Sequence, residues 1–270
     1  MCIKPNYIAR LKLDFDEKLR AYIVEWLIEA HKVFEFPTDA LYLAINLFDR
    51  FLAVHPVEKK KVSLVGVTAL QLAVKYAGTR GSIPCADLFS DLAFTSCPVE
   101  EISCSVQEII QMEDLILNTL ECELSIPTPS TFMWKFLKET QSDDKIKHLS
   151  FFFIDLCLVQ CEMLKFRPSI LAATAIYAAH ATFKGCKPCS KIYERLTGCS
   201  AHHILECSRL MVTSHQKARS VKSVYKKYHT RRFDCVARAE PARLLLKTKF
   251  SLSYVLKLTC LFKFCVLRDL

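Results

Sequence analysis

The segment from Val62 to Val74 constrains the fold more than any other, because no residue in it carries a charge. Lys75 and Tyr76 follow it directly. A helix that is apolar on nearly every face is stable in water only when other helices surround it. The sequence therefore predicts a central helix from Val62 to Tyr76, enclosed along its length and reaching the surface at Lys75.

Other segments in this half of the chain have apolar residues at spacings of three and four, the period of a helix with one buried face. Pro37 and the two prolines of the "IPTPSTF" connector at Ile126 to Phe132 interrupt this pattern. The connector is the best candidate for a domain boundary. Helices are predicted for residues 19–34, Ala40 to Leu52 and Ile102 to Leu120.

The pattern begins again after the connector. Ser63 to Tyr76 aligns with Ser169 to Thr182, sharing a serine, a threonine and two alanines, so the second half also has a very apolar helix. This correspondence indicates an internal repeat, and the chain is predicted to be all-α with two tandem five-helix repeats. Helices are predicted for Phe132 to Glu139, Asp144 to Met163, Pro168 to Phe183, Ser190 to Leu196 and Ala201 to Lys217.

Cysteine usage favours a reducing compartment. The chain has 14 cysteines, scattered through apolar helical segments, and we expect no signal peptide before them. The one CxxC, Cys186 to Cys189, lacks a second pair at zinc-ribbon spacing, so we expect free thiols, no metal and no cofactor. Lys257 and Lys263 interrupt the C-terminal apolar segment, and no membrane span is expected.

The net charge of +9 is concentrated between Lys217 and Phe250. Such a segment can contact nucleic acid, anionic lipid or an acidic partner, or it can be a solvated end. It has no base-reading motif, so a solvated end is favoured and no nucleic-acid partner is expected. A Gly-rich phosphate loop and a Ser/His/Asp arrangement are also missing from the sequence, which argues against an enzyme.

Four strings of the sequence together resemble the cyclins: "LRAYIVEWLIEAHKVFEFPTDALYLAINLFDRFLAV", "VSLVGVTALQLAVKY", "MEDLILNTLECELSIPTPSTFM" and "MLKFRPSILAATAIYAA". The resemblance covers about Tyr7 to Pro241 and is strongest to the B-type mitotic cyclins of plants. It implies a lead-in segment at 1–16, an N-terminal cyclin box at 17–125, a C-terminal box at 126–232 and an atypical tail at 233–270.

The resemblance implies a regulatory subunit rather than an enzyme. Cyclins bind a cyclin-dependent kinase, push its C helix inward and order its activation loop, which aligns the catalytic ion pair and the metal-binding aspartate. We expect a role at G2/M, in the nucleus, with the cytoplasm as the alternative location.

The resemblance also assigns roles to particular residues. Lys75, Glu113 and Leu64 match positions that contact the kinase, and Arg20 and Asp49 match an ion pair inside the first repeat. Without the resemblance, Lys75 would be interpreted as a cation that favours the carbonyl-rich end of a helix.

A patch on the first helix matches the site where cyclins dock substrates or inhibitors with an Arg-x-Leu-type motif. Tyr22 replaces a smaller aliphatic residue there, and Ser63 replaces a glutamine. The alternative interpretation is that this stripe is simply part of the core. The matching residues are Leu19, Tyr22, Ile23, Trp26, Glu29, Val62 and Ser63.

The chain departs from the family pattern in several places. Ala77-Gly78 stands where two acidic residues are usual, the segment between Lys75 and Glu113 is longer, and the chain after Arg243 is unlike the family. "RLKL" at Arg10 to Leu13 has the minimal form of a destruction signal, but the pattern is common and is not favoured as one. A second hypothesis is therefore a divergent cyclin-fold module that binds a kinase or transcription partner without activating it.

Overall fold

The computed structural model describes residues 16–77, 87–91 and 105–246. All regular secondary structure in these ranges is helical, which confirms the predicted all-α class. The principal helices are α1 (Glu17–Val33), α2 (Thr38–Val54), α3 (Val62–Ala77), α4 (Val106–Thr119), α5 (Pro129–Glu139), α6 (Asp144–Leu158), α7 (Pro168–Lys184), α8 (Ser190–Thr197), α9 (Ala201–Gln216) and α10 (Lys222–Tyr228).

Each repeat is built around the apolar helix that the sequence singles out. Every residue of α3 from Val62 to Val74 is buried, and α1, α2 and α4 pack around it. In the second repeat α7 has the same position, with α5, α6, α8 and α9 against it. Gly66 lets α1 approach α3 closely, because a Cβ atom there would lie 3.1 Å from Cγ2 of Ile23.

Side-chain caps fix where several helices begin. The Asp16 carboxylate accepts the backbone N–H of Leu19 at the start of α1. Ser105 and Glu108 form a reciprocal capping box at the start of α4, which satisfies two backbone N–H groups that the helix leaves unpaired. The start predicted for this helix, Ile102, lies outside the described residues.

Two boundaries in the second repeat differ from the prediction. The helix predicted to run from Asp144 to Met163 ends at Leu158, and a 3₁₀ turn at Cys161–Lys165 follows an extended Gln160. Cys161 and Met163 are buried in that turn, so their apolar character reflects burial rather than helical period. The helix predicted from Phe132 begins earlier, with Pro129 in its first turn, where a missing N–H costs nothing.

The first part of the segment assigned to the tail packs against the second repeat. Val236 and Leu245 lie in 3₁₀ turns at Val236–Arg238 and Arg243–Leu245, and both side chains are buried. The first of these turns contacts α6 and the second contacts α9. The apolar C-terminal segment with Lys257 and Lys263, and the Arg10 to Leu13 motif, lie outside the described residues.

The described cysteines are free thiols, and burial raises the pKa of Cys207 to about 12. Across the described ranges, His, Cys, Asp and Glu side chains form no group that could hold a metal ion. The described helices also include none that is long and apolar enough to cross a bilayer.

One buried histidine makes stability depend on pH. His215 lies edge-on to Phe152 and Phe153, and burial lowers its pKa from 6.5 to about 4. Between these values the unfolded chain binds more protons than the folded one, so stability falls as pH falls. The lost free energy of unfolding is on the order of 2–3 kcal/mol over this range.

We therefore expect His215→Leu to flatten the fall in unfolding free energy measured by urea denaturation between about pH 7 and pH 5. His203→Leu is the matched control, because His203 is an exposed residue of the same helix. An unchanged slope in the His215 variant would contradict the assignment.

Candidate functional site

The structure brings Lys75 and Glu113 together at the surface of the first repeat. Lys75 lies in the last turn of α3, and its Nζ contacts Oε1 and Oε2 of Glu113 on α4 at 2.8 and 2.6 Å. The lysine side chain is 37% exposed and the glutamate 16% exposed. Two of the three ammonium N–H groups can serve Glu113, which leaves a third donor at an accessible position.

Apolar side chains border this ion pair. Tyr76 is 51% exposed next to Lys75, and its hydroxyl hydrogen-bonds the Ser125 hydroxyl, one residue before the connector. Ile110, one helical turn before Glu113, is also exposed. Leu64 shares the face of α3 on which Lys75 lies, but only 6% of it is exposed. Lys75, Tyr76, Ile110 and Glu113 are hereafter called the α3–α4 surface.

Arg20 and Asp49 meet inside the molecule. Nε and Nη2 of Arg20 donate to the two carboxylate oxygens of Asp49 at 2.8 and 2.7 Å, and both side chains are buried. Nη1 of Arg20 donates to the backbone carbonyl of Leu158, at 2.9 Å, in the second repeat. The third contact was not predicted, because the sequence does not show that the end of α6 lies beside α1.

The seven residues of the predicted docking patch divide into buried and accessible members. Ile23, Val62 and Ser63 are fully enclosed, as the core interpretation requires. Trp26 is 7% exposed and its indole N–H has no acceptor among the described residues, while Leu19 is partly buried.

Tyr22 and Glu29 remain accessible, at 51% and 46% exposed. The accessible members do not form a continuous apolar strip. With Trp26 they line one side of a groove of about 380 Å³.

The other wall of this groove was missed in the sequence. It is formed by Lys222, Ser223 and Lys226 of α10, a short helix that follows α9 and packs against α1. Ser223 Oγ lies 3.4 Å from Oε2 of Glu25 on α1. The basic composition of the segment was visible, but its placement against the first repeat depends on tertiary packing.

Comparison with known protein families matches both halves of the chain. The "Cyclin, N-terminal domain" matches residues 1–125, and the "Cyclin, C-terminal domain" matches residues 127–242.

Several plant proteins are similar over most of the chain. Cyclin-B2-4 and Cyclin-B2-3 of Arabidopsis thaliana are 47% and 46% identical, over 91% of this chain and 55% of theirs. G2/mitotic-specific cyclin-2 of Medicago sativa is 43% identical over 92% of this chain and 73% of its own length. The chain thus spans about half the length of the Arabidopsis relatives.

Solved structures show the same fold at low sequence identity. A viral cyclin from herpesvirus saimiri superposes with a TM-score of 0.66 at 15% identity, covering 84% of this chain and 94% of the viral one. A chain of the yeast RNA polymerase II CTD kinase complex CTDK-1 superposes with a TM-score of 0.62 at 16% identity, covering 76% of this chain and 67% of its own.

The Arg20 contacts lead to a prediction about stability. Asp49→Ala leaves a buried guanidinium without its counter-ion, and we expect the free energy of unfolding to fall by about 3–5 kcal/mol. Arg20→Met together with Asp49→Leu removes both charges and should cost clearly less than the sum of Arg20→Met alone and Asp49→Leu alone. Urea denaturation of the wild type, these two single variants and the double variant measures the difference.

The control is Lys165→Ala, which breaks an exposed pair with Glu206 and should cost no more than about 1 kcal/mol. Strictly additive costs for the Arg20 and Asp49 substitutions would show that the two charges are not coupled.

Proposed function

Because the chain belongs to the cyclin family, we propose that it is a regulatory subunit that binds and activates a cyclin-dependent kinase at G2/M. The similarity to plant B2-type and G2/mitotic-specific cyclins supports the mitotic role. In this proposal the chain performs no chemistry of its own. It acts in the nucleus and supplies a rigid surface against which the kinase adopts its active arrangement.

The observation that carries the proposal is the α3–α4 surface. Its polar pair lies at the positions where the resemblance implies kinase contact, and it is bordered by the exposed side chains of Tyr76 and Ile110. An ammonium held by a carboxylate has lost part of its rotational freedom before any partner arrives, which lowers the entropic cost of association. Lys75 can then donate its remaining N–H to a backbone carbonyl of the kinase.

Activation follows from differential binding. A monomeric kinase samples inactive and active positions of its C helix, and a partner shifts this equilibrium only if it binds the active position more tightly. A surface formed by two packed helices can favour one kinase conformation in this way, since α3 is buried up to Val74 and its close packing resists deformation. The buried Leu64 would support α3 in this arrangement and contribute little contact area of its own.

We expect Lys75→Ala combined with Glu113→Ala to weaken binding of a mitotic cyclin-dependent kinase by at least about tenfold, because both polar groups of the proposed contact are lost. Co-precipitation or surface plasmon resonance with the purified kinase measures this. Lys60→Ala is the matched control, since Lys60 is a 75% exposed lysine just before α3 and at the opposite end from Lys75. Undiminished binding of the double variant would refute the contact.

A second candidate function is that the chain binds a kinase without activating it. Ala77-Gly78 replaces the two acidic residues that the family pattern places after Lys75-Tyr76, so two charges are missing beside the proposed contact. Histone-kinase activity of the purified complex separates the alternatives. Phosphorylation well above that of the kinase alone supports activation, whereas tight binding without stimulation supports a non-activating module.

A further inference from the structure

The groove between α1 and α10 carries charges of opposite sign on its two walls. Glu25 and Glu29 lie one turn apart on α1, and Lys222 and Lys226 lie one turn apart on α10. Residues four apart on a helix share a face, so each pair presents its charges in the same direction. Tyr22 and Trp26 complete the α1 wall.

The two acidic side chains already have partners within the chain. Oε2 of Glu25 accepts the hydroxyl of Ser223 at 3.4 Å, and burial raises the pKa of the Glu25 carboxyl. Glu29 Oε1 lies 3.3 Å from Nζ of Lys32 in an exposed pair. Such a pair contributes little stability, so Glu29 can exchange its partner at small cost.

Lys222 and Lys226, unlike Glu29, form no ion pair among the described residues. Both are exposed, and in the described ranges neither ammonium lies within 4.0 Å of a carboxylate. Like charges one helical turn apart repel each other. An anionic group bound between Lys222 and Lys226 would remove this repulsion and gain two charge-assisted hydrogen bonds.

We propose that Lys222 and Lys226 determine specificity in this groove, by selecting partner segments that carry an aspartate or glutamate in addition to an arginine. The arginine binds at Glu29 on the α1 wall, and the acidic residue binds at the two lysines on the α10 wall. This inference rests on the docking of Arg-x-Leu-type segments that the resemblance to cyclins implies, and it does not depend on kinase activation.

The acidic α1 wall favours a peptide over a polyanion as the ligand of this groove. Nucleic acid or an anionic lipid surface would satisfy Lys222 and Lys226, but it would place phosphates near Glu25 and Glu29, which repel them. A peptide can offer a cation to one wall and an anion to the other. Exposed charge pairs are screened by salt, so the preference should weaken as ionic strength rises.

The test measures binding of labelled synthetic peptides to the full chain by fluorescence polarisation, without a kinase. Each peptide has an Arg-x-Leu motif and one aspartate, which is moved along the positions on either side of the motif, and the reference peptide has asparagine instead. We expect aspartate at one or two adjacent positions to tighten binding about fivefold at low salt, and other positions to have little effect.

Lys222→Gln with Lys226→Gln should reduce the best aspartate peptide to the affinity of the asparagine peptide, and should leave the asparagine peptide unchanged. Lys187→Gln with Lys217→Gln is the control, because it removes the same charge from two exposed lysines outside the groove. This control should retain the aspartate preference.

Three results would overturn the inference. They are equal binding of aspartate and asparagine peptides by the wild type, an equal loss of both peptides in the Lys222 and Lys226 variant, and loss of the preference in the control. If the wild type binds none of the peptides, docking at the groove fails together with this inference. The kinase-binding measurement on Lys75 and Glu113 uses another surface, and its result stays independent of this one.

Discussion

The buried guanidinium of Arg20 is the interaction on which the arrangement of the two repeats most depends. Each of its three nitrogens has an acceptor: Asp49 on α2 takes two bonds, and the carbonyl of Leu158 at the end of α6 takes one. Removing a guanidinium from water is costly, and hydrogen bonds in good geometry such as these three offset that cost. The three bonds form together only when α1, α2 and the end of α6 meet.

A second buried carboxylate also joins the two repeats. Asp155 on α6 accepts the hydroxyl of Tyr42 from the first repeat at 2.7 Å, and the hydroxyl of Tyr228 from α10 at 2.9 Å. Lys227 supplies the balancing charge at 2.8 Å. Burial raises the pKa of both tyrosines well above its usual value, so both remain neutral donors. Polar contacts of this kind have a direction, and they therefore fix the orientation of the repeats more sharply than apolar packing can.

The sequence predicted those parts of the structure that depend on local pattern. The charge-free run of α3 required an enclosed helix, and α7 repeated the requirement, so the all-α class and the central helices could be derived from periodicity. The end of α6 was placed too late because buried residues of the 3₁₀ turn, Cys161 and Met163, continue an apolar pattern without continuing the helix. Apolar residues mark burial whether or not the helix continues, so the sequence alone does not distinguish a buried 3₁₀ turn from a longer helix.

The two candidate surfaces depend on this architecture in different ways. The α3–α4 surface is formed within the first repeat, where α3 and α4 contact each other directly. The groove of Glu29 and Lys226 exists only because α10, at the far end of the second repeat, packs back on α1. Lys227 and Tyr228 anchor α10 to Asp155, one residue along from Lys226. The same buried network that orients the repeats therefore sets the distance between the two charged walls. A change at Asp155 would alter the groove while leaving the α3–α4 surface in place.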